Sequence, residues 1–364
     1  MFKLLIQVGI LLISYIPIYS LDTQVPLDIR NEYLPGLIFL QPSPVSPKTL
    51  DKEKEAFHLN INLTNDTMAS SSYPAYKRYY SEKALVFNYL SDLNLDPLRH
   101  QLLTEYVQYG HFEAQYKTVI DVEYQHIRTG YNYGIGNHIE LGLELNIISL
   151  NSGTLDHSIN QYHSMIGTFT GKETFPNNHF TYSMSDDRKI YLSSKTGTYP
   201  GDTNLSFKWN LFEDTTSSFQ YSLIASVKLP TGNTKQSMGS GKVDASAGMV
   251  FAYKSKNFNH FVNSSLVYIS NPFKNSKIST SHYGILSYSV LYQWTNNFGI
   301  LGQFDFHSSM YHSHTVFLNQ PSLMFSTGFN WKLLDTGLLQ LGFSEDITYP
   351  VPDISFFLNY KTNF

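Results

Sequence analysis

Ile139-Glu140-Leu141-Gly142-Leu143-Glu144-Leu145-Asn146-Ile147 places an apolar side chain at every odd position and a polar residue or glycine at every even one. A period of two is the mark of a strand with one apolar and one polar face. The pattern recurs. Leu205, Phe207, Trp209 and Leu211 alternate with Ser206, Lys208 and Asn210. Phe219, Tyr221, Leu223, Ala225, Val227 and Leu229 alternate with Gln220, Ser222, Ile224, Ser226 and Lys228. Val243, Ala245, Ala247, Met249 and Phe251 follow the same rule, as do Phe298 to Phe306 and Leu323 to Trp331. These runs are longer than the ~5–6 residues of a typical soluble strand and match the ~9–11 that a tilted membrane strand needs. They predict an all-β fold: a transmembrane antiparallel up-and-down β-barrel, apolar face to lipid and polar face to the lumen.

The connections support this reading. Short turns near 213–217, 254–259, 295–297 and 332–337 alternate with longer loops near 230–242, 270–281, 308–319 and 344–352. Bacterial barrels sort short turns to one end and long loops to the other. Trp209, Trp294 and Trp331 all lie on strands running into a short turn, where indoles favour a membrane interface. About fourteen strands are legible. If the pair at 178–195 projects as a hairpin, twelve remain in the barrel, so the expectation is 12–14 strands.

Composition excludes other classes. The 364 residues are 42% hydrophobic and only 15% charged, with 27 Tyr and 25 Phe, which argues against global disorder. A net charge of −4 argues against a nucleic-acid partner. With no cysteine, disulfides, thiolate metal sites and a lipid-anchored N-terminus are ruled out. Lys3 followed by the apolar run Leu4–Tyr19 reads as a signal peptide, residues 1–20, cleaved after Ser20. An N-terminal membrane anchor is the alternative. Residues 21–55 carry five prolines and no period and read as an extended periplasmic or plug-like lead segment. Residues 56–364 form the barrel, with 66–120 read as a loop insertion.

The last strand ends Phe356, Leu358, Tyr360, Thr362, Phe364. A terminal Phe with apolar residues at alternate positions resembles the signal by which the barrel-insertion machinery recognises its clients. Phe356, Leu358, Tyr360 and Phe364 carry it, and Thr362 departs from it. The expected location is the outer membrane of a Gram-negative-type bacterium, with outer-membrane lipid as the surrounding partner and a monomer as the default state.

Several segments resemble the bacterial envelope family known as domain of unknown function 3187. They are Pro26-Leu27-Asp28-Ile29-Arg30-Asn31; Tyr133-Gly134-Ile135 with Ile139-Glu140-Leu141-Gly142; Gly153-Thr154-Leu155-Asp156 with Ile159 and His163; and Lys228-Leu229-Pro230-Thr231-Gly232 with Gly239-Ser240-Gly241. The resemblance spans most of the mature chain and implies an outer-membrane barrel. It implies no activity.

Two sets of residues are functional candidates. The spacing of Leu155 to Met165 predicts a short helix in the long loop 149–177. Asp156, Ile159 and His163 share a face there. Gly153, Leu155, Asp156, Ile159 and His163 either shape the barrel mouth or serve local capping and packing. The inward register holds Arg128, Glu140, Glu144, Lys208, Lys228, Asp244, Asp305 and Lys361, four basic and four acidic residues. Mixed charges in a lumen either pair and fill it or line a water path. His307, His312 and His314 near Asp305 read as a polar loop before they read as a metal site, and neither metal nor cofactor is expected. Asp156 and His163 with Ser152 or Ser158 offer hydrolase residue types, but no Gly-x-Ser-x-Gly elbow surrounds a serine.

The sequence thus points to a narrow channel or passive transporter for a small polar or amphipathic solute. The alternatives are a closed barrel presenting long outer loops and, third, a lipid-modifying enzyme.

Overall fold

Twelve antiparallel strands close into one barrel: β1 (Glu55–Ser71), β2 (Tyr116–Gly136), β3 (Ile139–Asn151), β4 (Thr203–Asn210), β5 (Phe219–Leu229), β6 (Asp244–Ser255), β7 (Phe258–Tyr268), β8 (Tyr283–Thr295), β9 (Phe298–His307), β10 (Ser322–Leu333), β11 (Gly337–Asp346) and β12 (Ile354–Asn363). Each pairs with its neighbours in sequence, and β12 returns to β1 with Ala56 opposite Asn363 and Asn65 opposite Ile354. The computed structural model describes residues 24–71, 116–136, 138–153, 161, 178–186, 189–211, 218–273, 278–312, 317–333, 336–348 and 350–364.

The pair at 178–195 lies outside the ring. Thr181–Asp186 pairs with β2 at Tyr116–Asp121, and Ile190–Ser193 pairs with Thr181–Asp186 in turn. Twelve strands therefore form the wall. Gly197–Pro200 pairs with β3 at Ile147–Leu150 and leads into β4. β1 runs on to Ser71 and β2 begins at Tyr116, so the ends of the 66–120 stretch are strand. Of the helix expected at 155–165 only Gln161 is described, and it is helical; Leu155, Asp156, Ile159, His163 and His314 lie outside the described residues.

Parity along each strand sets the faces. Leu141, Leu143, Leu145 and Ile147 point outward and stay about 40–50% exposed, while Glu140 and Asn146, of the opposite parity, are buried inside. Trp209, Trp294 and Trp331 are exposed near the short-turn end. An outward apolar surface of this extent has a stable setting only in lipid.

The lumen is filled by the chain itself. Val25 to Leu50 enters at the short-turn end and rises to a tight 3-10 turn at Leu34–Gly36 under the long loops. It then descends to join β1 at the short-turn end. At the top, Tyr33, Leu34, Ile38, Phe39 and Leu40 enter an apolar core with Tyr124, Ile148, Tyr182, Tyr283, Tyr311 and other residues of the upper wall and loops. From Val25 to Leu50 the segment is a plug.

Candidate functional site: the plugged lumen

The rising arm, Val25 to Glu32, is extended, so its side chains alternate between two sides of the lumen. Leu27 and Ile29 are wholly buried and pack on one side in a cluster with Phe261, Leu291, Leu301, Met324 and Phe357, all from the wall. On the other side, Asp28, Arg30 and Glu32 meet β1 to β3.

Arg128 is the hub of that polar side. Its side chain is fully buried. Nη1 donates to Asp28 Oδ1 at 3.1 Å, Ser43 Oγ at 2.8 Å and Glu144 Oε2 at 3.3 Å, and Nη2 donates to the Asp28 carbonyl at 2.9 Å. One guanidinium therefore ties both arms of the plug to the wall, using the planar fork of donors that distinguishes Arg from Lys. Arg30 reaches Asn146 Oδ1 at 2.8 Å and Glu144 Oε1 at 3.4 Å. His126 Nδ1 lies 2.6 Å from Glu32 Oε2, and its Nε2 lies 3.0 Å from Asn146 Oδ1. Those partners are a carboxylate and an amide rather than a hydroxyl, so the pair lacks the nucleophile a triad requires.

The plug backbone is read by side-chain amides. Gln303 Oε1 accepts from Leu27 N at 3.1 Å, and Gln340 Oε1 accepts from Asp28 N at 3.1 Å. Gln340 Nε2 donates to the Pro26 carbonyl, Asn330 Nδ2 to that of Val25 and Asn359 Nδ2 to that of Asp28. Asp305 does not face the plug directly. It accepts from Ser287 Oγ and from Gln303 Nε2, which turns the Gln303 carbonyl oxygen toward Leu27. On the descending arm, Val45 N donates to Asn263 Oδ1, Ser222 Oγ to the Pro47 carbonyl, Lys208 Nζ to the Ser46 carbonyl, and Leu50 N to Glu140 Oε2.

At the short-turn end, a cavity of about 590 Å³ lies against both arms of the plug, with Asp28 and Ser46 in its lining. Asp51, Lys54, Glu140, Lys208, Lys361 and Phe364 are among its lining residues. Glu140 and Lys208 form an ion pair at 3.3 Å. Near the long-loop end, half-buried Asp353 receives a hydrogen bond from Thr67. Desolvation, with Asp66 and Asp346 close by, pushes its carboxyl well above the usual range. A raised carboxyl disfavours the folded state at pH values where it must ionise. Asp353→Asn is therefore expected to raise the thermal midpoint more at pH 8 than at pH 5, the gain fading where Asp353 itself takes up a proton.

The family model described as "Protein of unknown function (DUF3187)" matches residues 99–364. The chain belongs to this family. The match begins after the plug, so Pro26–Asn31 lies outside it. No curated protein sequence matches the chain. Among solved structures, the COG4313 outer membrane channel from Pseudomonas putida F1 superposes with a TM-score of 0.51 at 10% identity, covering 89% of this chain and 100% of that one. The P. putida toluene transporter TodX gives 0.37 at 10% identity, with 86% and 91% covered. At this identity the first likeness shows a shared barrel fold.

Within the matched region, the segments Lys228–Gly232 and Gly239–Gly241 build one buried cluster. Lys228 Nζ donates to Asp202 Oδ2 at 2.6 Å, Ser240 Oγ at 2.8 Å and the Lys242 carbonyl at 3.1 Å, and lies 3.3 Å from Asp244 Oδ2. Asp202 Oδ1 accepts from Gly232 N, and Asp244 Oδ2 accepts from Leu40 N of the plug. A Cβ on Gly232 would sit 2.4 Å from the Met238 carbonyl oxygen and 2.8 Å from Asp202 Oδ1, which is why glycine stands there.

Lys228→Met leaves two carboxylates buried without their cation. It should cost about 3–5 kcal/mol, read as a fall in the urea unfolding midpoint. Gly232→Ala should cost about 1–3 kcal/mol by overpacking in the same titration, without loss of the ion pairs.

Of the eight inward charges expected from the sequence, Arg128, Glu144 and Asp244 contact the plug directly, as do Glu140 and Lys208. Lys228 acts through Asp244, Asp305 acts through Gln303, and Lys361 lines the lower cavity. Gly153 has a φ of 97° at the end of β3, a left-handed backbone that suits glycine. His307 is buried in the wall with its ring 6.1 Å from that of Tyr283. Among the described residues, no group of three metal-ligating side chains comes together.

Proposed function

We propose that this chain is an outer-membrane channel held shut by its own N-terminal segment, passing a small polar or amphipathic solute when the segment moves aside. The observation that carries this reading is the plug itself: a lumen lined by polar and charged side chains, filled by a segment that joins no strand of the wall among the described residues. A barrel serving only as a scaffold gains more from an apolar interior than from buried charge pairs, whose desolvation cost often cancels their attraction. The fold shared with the P. putida F1 channel agrees with the proposal. In this reading the short turns face the periplasm, the outward tryptophans sit at the interface, and Phe356, Leu358, Tyr360 and Phe364 present the insertion signal. The balance of lumen charges gives no preference for anions or cations.

The closed, loop-presenting barrel is the second reading. It is favoured by the apolar packing of Tyr33 to Leu40 beneath the long loops, which seals that end. Single-channel recording of the refolded mature chain separates the two. The channel reading expects a closed baseline broken by discrete openings, more frequent when the plug is weakened. A folded barrel that stays silent with a weakened plug overturns it.

A further inference from the structure

The plug is fastened in an unusual way for a buried segment. Residues 25–50 add no strand to the sheet among the described residues, and the 3-10 turn at the tip is closed by local backbone bonds, Gly36 N to the Tyr33 carbonyl and Leu37 N to that of Leu34. Backbone groups of the plug are met by wall side chains: Gln303, Asn330, Gln340, Asn359, Asn263 and Arg128. The amide cradle reads the backbone of an extended peptide. Arg128, His126 and Asn146 read the charged side chains at positions 28, 30 and 32, and the Phe261–Leu301 face takes the apolar ones at 27 and 29. These are the parts of a peptide-binding site: main-chain bonds for affinity and alternate side-chain pockets for specificity.

Removal of the segment leaves the twelve-stranded hydrogen-bond ladder complete, because none of that ladder includes it. The tether back to β1 is an exposed turn at Asp51–Glu53, with Glu53 at a φ of 64°.

We propose that the lumen is a binding site for an extended peptide of alternating apolar and charged residues, and that residues 25–50 occupy it as a tethered, exchangeable ligand. The proposal rests on the plugged-channel reading and deepens it, since exchange at this site would set whether the channel is open.

The test uses the full mature chain, folded first, with a protease recognition sequence inserted between Lys52 and Glu53. After cutting, the barrel is washed and titrated with a fluorescent synthetic peptide of residues 24–50, followed by anisotropy. Heat-modifiable gel mobility reports whether the barrel stays folded. The expected result is that the cut segment washes off a folded barrel and the labelled peptide rebinds saturably. A peptide carrying Asp28→Asn and Arg30→Gln should bind at least about tenfold more weakly, one lost charge-assisted contact being worth roughly that factor.

Three outcomes overturn the proposal. The barrel unfolds when the segment leaves; the segment never leaves a folded barrel; or a scrambled peptide of the same composition binds equally well. Conductance recorded on the same washed barrel is a separate readout. Peptide binding without current sinks the channel reading and keeps the peptide site, while current without saturable binding does the reverse.

Discussion

Ile29→Asp is expected to turn a barrel with a closed baseline into one that conducts steadily. Ile29 is fully buried and packs with Leu27 in the cluster formed with Phe261, Leu291, Leu301 and Phe357. No cation stands on that side among the named partners, so an ionised carboxylate there would carry an effective penalty of several kcal/mol. The chain has a cheaper alternative than tolerating this penalty or unfolding the barrel. The arm can leave for water while every strand pairing of the wall stays intact.

A cost of about 4 kcal/mol on the plugged state shifts the closed-to-open ratio by roughly a thousandfold, enough to make a minor open state the dominant one. Ile29→Val removes one methylene, should cost about 0.5–1.5 kcal/mol, and should leave the baseline closed. The check is single-channel recording in planar bilayers, with gel mobility confirming the fold of both variants. A folded Ile29→Asp barrel that stays silent would mean that something other than this arm closes the lumen.

What the sequence made legible follows from distance along the chain. Strand faces are set by a residue's immediate neighbours, so the outward run Leu141 to Ile147 and the inward positions of Arg128, Lys228 and Asp244 could be read from parity alone. Pairing partners are set by closure of the barrel. Arg128 meets Asp28 from a hundred residues away, and Gln340 meets Pro26 from over three hundred, so no local pattern announces either contact. The plug carried one usable signal among its prolines: Leu27, Asp28, Ile29, Arg30, Asn31 and Glu32 place a charge at every second position. That alternation is too short to distinguish from chance without a wall to receive it.

Gln303, Asn330, Gln340 and Asn359 were missed because an inward amide on a barrel strand looks like any other lumen-facing polar residue. Asp202 was missed because it lies just before β4 rather than within it. Of the charges that were found, Arg128, Glu144 and Asp244 contact the plug, while Glu140, Lys208 and Lys361 also line the lower cavity.

Arg128→Met should release the plug by a different route, and the pattern of its rescue identifies the cause. The guanidinium holds Asp28 on the rising arm, Ser43 on the descending arm and Glu144 on β3. Methionine keeps much of the volume and none of the donors, which leaves the partly exposed Asp28 carboxylate with the Asn60 amide and no paired cation, and Glu144 with Arg30, Asn204 and His58 at 3.8 Å. With Asp28 a third exposed, removing its cation costs about 1–3 kcal/mol.

Part of that cost is avoided if the plug withdraws and Asp28 regains water. The expected result is therefore a roughly ten- to hundredfold rise in the rate at which a protease cuts residues 24–50, measured by mass spectrometry, with little change in the mobility of the folded barrel. Arg128→Lys should fall between wild type and methionine, because an ammonium can serve one arm but does not reproduce the fork that joins both.

The double variant Arg128→Met with Asp28→Asn decides the mechanism. If the single variant acts by stranding a carboxylate, removing that charge recovers a large share of the protection, since deleting both members of a buried pair costs far less than deleting one. If Arg128 matters only as bulk beneath the plug, the second substitution restores nothing and the electrostatic account of plug retention fails.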